Sequence, residues 1–281
     1  MTDYLLSEER IKLYEKYLIS EERSRGTVSK YVRDVKKFAD WLNGVRVTKE
    51  RAIEWKKYLY ENGYAPITIN SMLASLNGLF QFAGWDECRI KFFKIQRKMF
   101  RDMNKDLKRQ EYERLVASAK KKGKDQIALL METICVTGIR VSEVSYITVE
   151  AVYKGKAEIV LKGKIRVIMF PGKLRKKLSR FIRARKIKSG NIFLTGRGKP
   201  ISRGQIWKEM KQLCPMANVE PSKVFPHNLR HLFAVTFYSI CKDVVRLADV
   251  LGHSNIETTR IYLLTSGTDH VRQLEQLKLV S

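Results

Sequence analysis

The segment AEIVLKGKIRVIMF, Ala157 to Phe170, decides the fold class because its periodicity differs from that of the rest of the chain. Two runs rich in β-branched residues flank Lys162, Gly163 and Lys164. Such runs around a short turn with a glycine predict a β-hairpin. The segments before and after it carry apolar residues at helical spacing. The sequence therefore predicts a mainly α-helical protein with one small β-sheet, an α+β fold.

Helical periodicity surrounds the hairpin on both sides. Before it, Lys108–Lys121 and Asp125–Val136 are predicted helices, and the second ends at Thr137 and Gly138. After it, Lys173–Lys188 has a densely basic face opposite an apolar face made of Leu174, Leu178, Phe181 and Ile182. That basic face is either solvated or in contact with a polyanion, and the sequence does not choose between the two.

The N-terminal part of the chain predicts a small helical bundle. Four segments have helical spacing: Glu8–Ser20, Thr27–Leu42, Lys49–Asn62 and Thr68–Ala83. The stretch Lys94–Gln110 that follows is polar, basic and poor in large apolar residues, which is typical of an interdomain linker. We place the boundary near Asp102, so the predicted domains are residues 1–101 and 102–281.

Charge narrows the class of partner. Among 281 residues, 55 Lys and Arg oppose 29 Asp and Glu, for a formal net charge of +26. This excess favours a polyanionic partner. We expect nucleic acid rather than membrane, because there is no long uncharged apolar run and MTDYLLSEER lacks a signal-peptide layout. A cytoplasmic protein is the corresponding expectation. The four cysteines form no C-x-x-C pair, which argues against a zinc ribbon or a disulfide framework.

Several unusual polar residues lie in the C-terminal half. Arg140 follows a helix-ending glycine in TGIRVSEV, and Lys162 lies at the hairpin turn. His227 and Arg230, in PHNLRH, are three residues apart and share a helix face. The fourth motif is LGHSNIETTRIY, Leu251 to Tyr262, which contains His253 and Tyr262.

The last motif carries a helix-start pattern. Ser254 and Glu257 match the S-x-x-E capping box, so a helix is expected to begin at Asn255. His253 would then lie in the entry turn and Tyr262 on the helix body. Both side chains could be directed at one place if Tyr262 faces the neighbouring structure.

These residue types suit a phosphate better than a metal. Guanidinium groups cannot coordinate cations, whereas their planar fork of donors matches two phosphate oxygens and offsets growing negative charge. Histidines can donate hydrogen bonds or transfer protons near neutral pH. Tyr262 is then the candidate nucleophile and Lys162 the candidate acid for the departing oxygen. His227 and His231 have the i, i+4 spacing of a zinc pair, but without H-E-x-x-H or an obvious third ligand we predict neither metal nor cofactor.

Together and in this order, the motifs closely resemble those of the tyrosine recombinases, or phage integrase family, over nearly the whole chain. TGIRVSEV resembles the first-arginine motif, LKGK the catalytic-lysine hairpin, HNLRH the H-x-L-R-H box, and LGHSNIETTRIY the block ending in the nucleophile. A shifted alignment would exchange Lys162 for Lys164. The resemblance implies supporting roles for Glu143 and His231 and an active site of Arg140, Lys162, His227, Arg230, His253 and Tyr262.

The resemblance also implies an activity and an assembly. Such enzymes cleave a DNA strand through a 3′-phosphotyrosine linkage and rejoin it to another strand, without metal or nucleotide. The N-terminal bundle resembles the core-binding domain of the family, and residues 102–281 its catalytic domain. Because the chain starts almost directly with those helices, we expect double-stranded DNA sites with short inverted repeats. The resemblance also implies a homotetramer on paired sites.

The sequence leaves the C-terminal tail, the type of recombination and the alternative functions to be considered. Residues 267–281, with Val271, Leu274 and Leu277 on one side of a short helix, are expected to dock on a neighbouring subunit. Inversion, integration or excision, and resolution share the same chemical steps, so the sequence does not separate them. A type IB topoisomerase-like enzyme that nicks and rejoins DNA is the main alternative. A non-catalytic DNA-binding regulator is a poorer one, because Tyr262 and both arginines are present.

Overall fold

The computed structural model describes residues 4–96, 103–161, 164–262 and 275–276. Within these ranges the chain is mainly helical and has one two-stranded antiparallel sheet, so the predicted α+β class is confirmed. The chain divides into two compact units, Met1–Arg97 and Lys98–Ser281. The boundary predicted at residue 102 falls in the range 97–102, which lies outside the described residues.

The first unit is a helical bundle around an aromatic core. Tyr14, Phe38, Trp55 and Phe80 are fully buried in it. Ser24 caps the second helix by accepting a hydrogen bond from the Thr27 amide, so that helix begins at Arg25 rather than at the predicted Thr27. The bundle consists of α1 (Glu8–Ser20), α2 (Arg25–Leu42), α3 (Lys49–Glu61) and α4 (Pro66–Phe82).

The second unit is built around one apolar helix, α6, which packs against α5, α8, α9 and α11. Most α6 side chains are buried, and the helix ends at Gly138 with a positive φ of 63°. The helices of this unit are α5 (Arg109–Lys121), α6 (Asp125–Thr137), α7 (Val149–Lys154), α8 (Gly172–Ala184), α9 (Arg203–Lys211), α10 (Cys214–Ala217), α11 (Pro226–Cys241), α12 (Val244–Leu251) and α13 (Glu257–Arg260).

The predicted hairpin is present. Strand β1 (Lys156–Leu161) pairs with β2 (Lys164–Met169), with Leu161 opposite Lys164 and Ile159 opposite Arg166. Because side chains alternate along a strand, Arg166 shares the inward face with the buried Ile159. The turn residues 162 and 163 lie outside the described residues.

The basic helix after the hairpin is shorter than predicted. Its expected apolar face is buried, but α8 ends at Ala184 rather than at Lys188. Lys186 adopts a positive φ of 52°, and its amide donates to the Arg183 carbonyl, so the helical path stops there. In the part of the chain that the structure describes, none of the helices has the length and apolarity needed to span a bilayer.

Candidate active site

Arg140 lies immediately after α6 and is held by the carboxylate of Glu143. The amide of Arg140 donates to Glu143 Oε2 at 2.9 Å, and its Nη1 donates to Oε1 at 2.8 Å. Its Nη2 donates to the Gly252 carbonyl at 3.1 Å. Glu143 is buried, whereas the side chain of Arg140 is 37% exposed. The guanidinium is therefore fixed from behind and still reaches solvent, where an anionic ligand can approach it.

Arg230, on α11, is a buried guanidinium held by backbone carbonyls. Its Nη1 donates to the carbonyl of Gly138 and its Nη2 to that of Leu251, at 2.8 Å for the latter. These carbonyls belong to the C-terminal ends of α6 and α12. The helix dipole places partial negative charge there, and the last carbonyl groups of a helix have no N–H partner within it. Burial and then Arg140 lower the pKa of Arg230 to about 10, so it stays charged at neutral pH.

His253 is fixed between Arg230 and Thr259. Its Nε2 lies 2.9 Å from Nη2 of Arg230, and its Nδ1 lies 2.9 Å from the Thr259 hydroxyl. An arginine can only donate, so Nε2 accepts, and we infer that the proton is on Nδ1 and is donated to Thr259. Burial, followed by the charges of Arg230 and Arg140, lowers the pKa of His253 to about 4. The imidazole is therefore neutral at pH 7.

Tyr262 is packed among three imidazole rings. Its ring centroid is 6.0 Å from that of His253 with an interplanar angle of 11°, 5.1 Å from that of His231 and 6.2 Å from that of His227. The residue is 5% exposed and also contacts buried apolar side chains of α11 and α12. Burial and Arg140 lower the pKa of Arg230, and the Tyr262 phenol acts in the opposite direction and raises it. The Tyr262 ring is thus held against His253, which contacts Arg230.

The loop between His253 and Tyr262 differs from its prediction. Helix α13 begins at Glu257, not at Asn255, and Ser254 does not cap it. The Asn255 side chain instead accepts from the Glu257 amide at 2.8 Å. The capping-box prediction is wrong because a local asparagine turn satisfies the same amide. Tyr262 then lies beyond the end of α13, in a turn where its amide donates to the Thr259 carbonyl at 3.0 Å.

The structure brings together five of the six residues that the family resemblance selects. Arg140, Arg230, His253 and Tyr262 are connected through the contacts above, and His227 is exposed on the first turn of α11 beside the Tyr262 ring. Lys162 lies outside the described residues, as does the side chain of Lys164, so the choice between them stays a prediction. The two residues expected to have supporting roles, Glu143 and His231, are both buried.

Sequence reasoning missed two residues of this site. Thr259 is fully buried and orients His253, but no periodicity or motif set it apart. Arg166 donates from Nη2 to Glu143 Oε2 at 2.5 Å. Its signal was available, because Arg166 lies opposite Ile159, on the strand face that also carries the apolar Ala157 and Ile168.

The site carries a net positive charge. Three guanidinium groups lie in the site, those of Arg140, Arg166 and Arg230. The carboxylate of Glu143 pairs with the first two, and the neutral His253 adds no charge. The remaining two positive charges match a phosphodiester that gains negative charge as it becomes five-coordinate. Within the described ranges, no cluster of three or more His, Cys, Asp or Glu side chains could hold a metal ion.

The fold agrees with comparisons to known proteins. The phage integrase family profile matches residues 105–266, more than half of the chain, and that of the phage integrase N-terminal SAM-like domain matches residues 11–87. The chain belongs to the phage integrase family and is a tyrosine-type site-specific recombinase.

Similar proteins cover nearly all of the chain. The tyrosine recombinase XerA of Thermococcus kodakarensis is 29% identical over 97% of this chain and 96% of its own length. Among solved structures, the Tn1549 transposon integrase in complex with transposon right-end DNA has a TM-score of 0.72 at 20% identity, covering 96% of this chain and 99% of that one. A lambda integrase tetramer bound to a Holliday junction has a TM-score of 0.74 at 17% identity, covering 92% and 77%. At these identities the two structures establish the fold.

Proposed function

We propose that this protein exchanges DNA strands at specific sites through a covalent 3′-phosphotyrosine intermediate formed on Tyr262. The observation that carries the proposal is the packing of the Tyr262 ring against His253, whose Nε2 lies 2.9 Å from Nη2 of the charged Arg230. Arg140 and the neutral His253 lie in the same network. A nucleophile next to preorganised cations, with one carboxylate to balance them, is suited to phosphoryl transfer.

The proposed reaction has two transesterification steps. The Tyr262 oxygen attacks the scissile phosphorus and loses its proton to the exposed imidazole of His227. Arg140 and Arg230 offset the charge on the non-bridging oxygens. The bond to the 5′ oxygen breaks, and Lys162 protonates that oxygen. The 5′ hydroxyl of another strand then attacks the phosphotyrosine and restores the phenol, so no external energy source is required.

The partner of this reaction is double-stranded DNA. The net charge of +26 supplies the phosphate contacts that give affinity without sequence choice. The neighbouring structures that contain DNA, one of them a tetramer on a Holliday junction, support DNA as the partner. The proposed assembly is a homotetramer on paired sites with short inverted repeats. Residues 1–101 would serve as the core-binding domain and 102–281 as the catalytic domain, acting in the cytoplasm on nucleoid DNA.

Covalent trapping in the presence of EDTA is the experiment that tests this function. Sheared genomic DNA is incubated with the protein, denatured adducts are isolated, and the DNA ends are sequenced to identify the site. A nicked duplex built on that site loses its short 5′ hydroxyl strand after cleavage, so the adduct should accumulate. We expect peptide mapping to place the 3′ phosphate on Tyr262, with the same yield in EDTA. Cleavage that requires added magnesium would contradict the mechanism.

The C-terminal tail is proposed to dock on a neighbouring subunit. Most of residues 267–281 lie outside the described residues, but a surface that suits an apolar segment is described. A groove of about 350 Å³ on α5, α6 and α11 is lined by Leu232, Phe233 and Phe237, with Ile240 80% exposed at its edge. Val271, Leu274 and Leu277 would supply too small an apolar strip to be stable alone.

Deleting residues from Asp269 onward is expected to separate site binding from assembly. Single-site binding in a gel-shift assay should change little, whereas pairing of two sites and recombination should fall by about 10-fold or more. Ile240→Asp is a matched test, because an exposed residue can be changed without disturbing the core. It should reproduce the defect in pairing. Unchanged recombination by the truncated protein would refute the docking.

A further inference from the structure

Arg166 is a buried arginine that the proposed chemistry does not use. Its side chain is 11% exposed and projects from the inward face of β2. Nη1 donates to the carbonyls of Val250, at 3.3 Å, and Leu251, and Nη2 donates to Glu143. One side chain therefore joins the hairpin, the end of α12 and the turn that carries Arg140.

Glu143 is the link between Arg166 and Arg140. The Oε2 atom accepts from the Arg140 amide and from Arg166 Nη2, while Oε1 accepts from Arg140 Nη1. A carboxylate held by a single partner could rotate about its side-chain bonds, whereas contacts from two directions restrict it. Burial lowers the pKa of Arg166, but Glu143 opposes that shift, so Arg166 keeps the charge that this link requires.

Gly252 provides the space for this contact. A Cβ atom added at residue 252 would lie 2.3 Å from Cδ of Arg166 and 3.1 Å from its Nε. The same glycine has a φ of 63° and ends α12, and its carbonyl oxygen accepts a hydrogen bond from Nη2 of Arg140. Arg166 and Arg140 therefore meet the same short segment, from Val250 to Gly252, immediately before His253.

We propose that Arg166 is a positioning residue for strand cleavage, which fixes Glu143 and thereby holds Arg140 against the end of α12 before the phosphate arrives. The inference rests on the proposed function, because it takes the scissile phosphate to be bound by Arg140. Preorganisation of this kind affects the reacting state more than the initial binding of DNA.

The first measurement compares Arg166→Met with a matched control, Arg175→Met. Arg175 also donates to carbonyls at a helix end, those of Val152 and Tyr153 in α7, but it does not contact Glu143. We expect Arg166→Met to slow single-turnover cleavage by roughly 10- to 100-fold, in the range of a displaced catalytic group. DNA affinity should stay within about 2-fold, and Arg175→Met should cleave at nearly the wild-type rate.

A neutral substrate separates positioning of Arg140 from a general loss of structure. A methylphosphonate at the scissile position lacks the charge that Arg140 offsets, so that arginine contributes less to its cleavage. The defect of Arg166→Met, measured against wild type, should therefore shrink on methylphosphonate, as should that of Arg140→Ala. A defect of equal size on both substrates would assign Arg166 a structural role and overturn the inference.

Two further variants keep the test decisive if Arg166→Met folds poorly. Arg166→Lys retains one ion pair with Glu143 but not the three-acceptor geometry, so an intermediate rate is expected. Gly252→Ala crowds Arg166 without changing any charge and should give the same substrate-dependent defect, with an added loss of thermal stability because residue 252 has a φ of 63°. Normal cleavage by these variants would refute the positioning role. Absence of an adduct in the wild-type protein would instead refute the proposed function, so the two failures are distinguishable.

Discussion

Tyr262→Phe is expected to abolish the covalent adduct and recombination while leaving the fold and site binding intact. The phenol oxygen becomes part of the intermediate, so its removal deletes the reacting atom. The ring remains, and with it the packing against His231 and His253 that keeps the residue 5% exposed. Affinity should persist because cationic contacts to phosphates supply most of it.

The measurements for this variant are thermal melting, a gel shift at fixed salt and trapping on the nicked duplex. Tyr238→Phe is the matched control, because Tyr238 lies on α11 and packs against the same apolar cluster as Tyr262. It should form adduct at the wild-type rate. Recovery of the adduct on Tyr238, or full recombination by Tyr262→Phe, would refute the assignment of the nucleophile.

Arg140→Ala is expected to lower the cleavage rate by roughly 10²-fold or more, the range found when a preorganised charge-stabilising donor is removed. The nucleophile and its surroundings remain, but the charge developing on phosphate loses a bidentate partner. Arg140 is a better test than Arg230, because its side chain is 37% exposed. Arg230 is 2% exposed and holds carbonyls of two helix ends, so its loss would also destabilise the fold.

Single-turnover cleavage and DNA affinity are the two quantities to compare. Arg114→Ala serves as the control, because Arg114 donates to the carbonyls of Ala217 and Asn218 and takes no part in the site. Arg140→Lys should fall between wild type and Arg140→Ala, since an ammonium lacks the planar fork. A rate loss that is matched by an equal loss of affinity would mean that Arg140 contributes binding rather than stabilisation of the reacting state.

Much of the fold followed from local patterns. Apolar spacing predicted α1 to its exact bounds, Glu8–Ser20, and placed α6 to within one residue of its end. The hairpin followed from two β-rich runs around a glycine turn, and β1 and β2 pair antiparallel as that prediction requires. These elements are set by contacts between residues close in sequence, where periodicity and turn chemistry act directly.

Local patterns failed where two short-range interactions competed. Ser254 and Asn255 are adjacent, and either side chain could accept from the Glu257 amide. Asn255 does so, α13 begins only at Glu257, and Tyr262 lies outside a helix. Lys186 likewise ends α8 early although the basic sequence continues. Such choices differ by small free energies, so neighbouring packing decides between them.

By itself, the sequence determined the fold class, the family and the residue types that the proposed chemistry requires. Only the tertiary structure decided how they are held. Arg166 meets Glu143 and the end of α12 across long stretches of chain, and Arg230 meets the ends of α6 and α12. The neutral state of His253 depends on the same contacts, because burial and neighbouring guanidinium groups lower its pKa. No pattern within a short segment contains this information, since buried hydrogen bonds and charge interactions depend on which distant groups folding brings together.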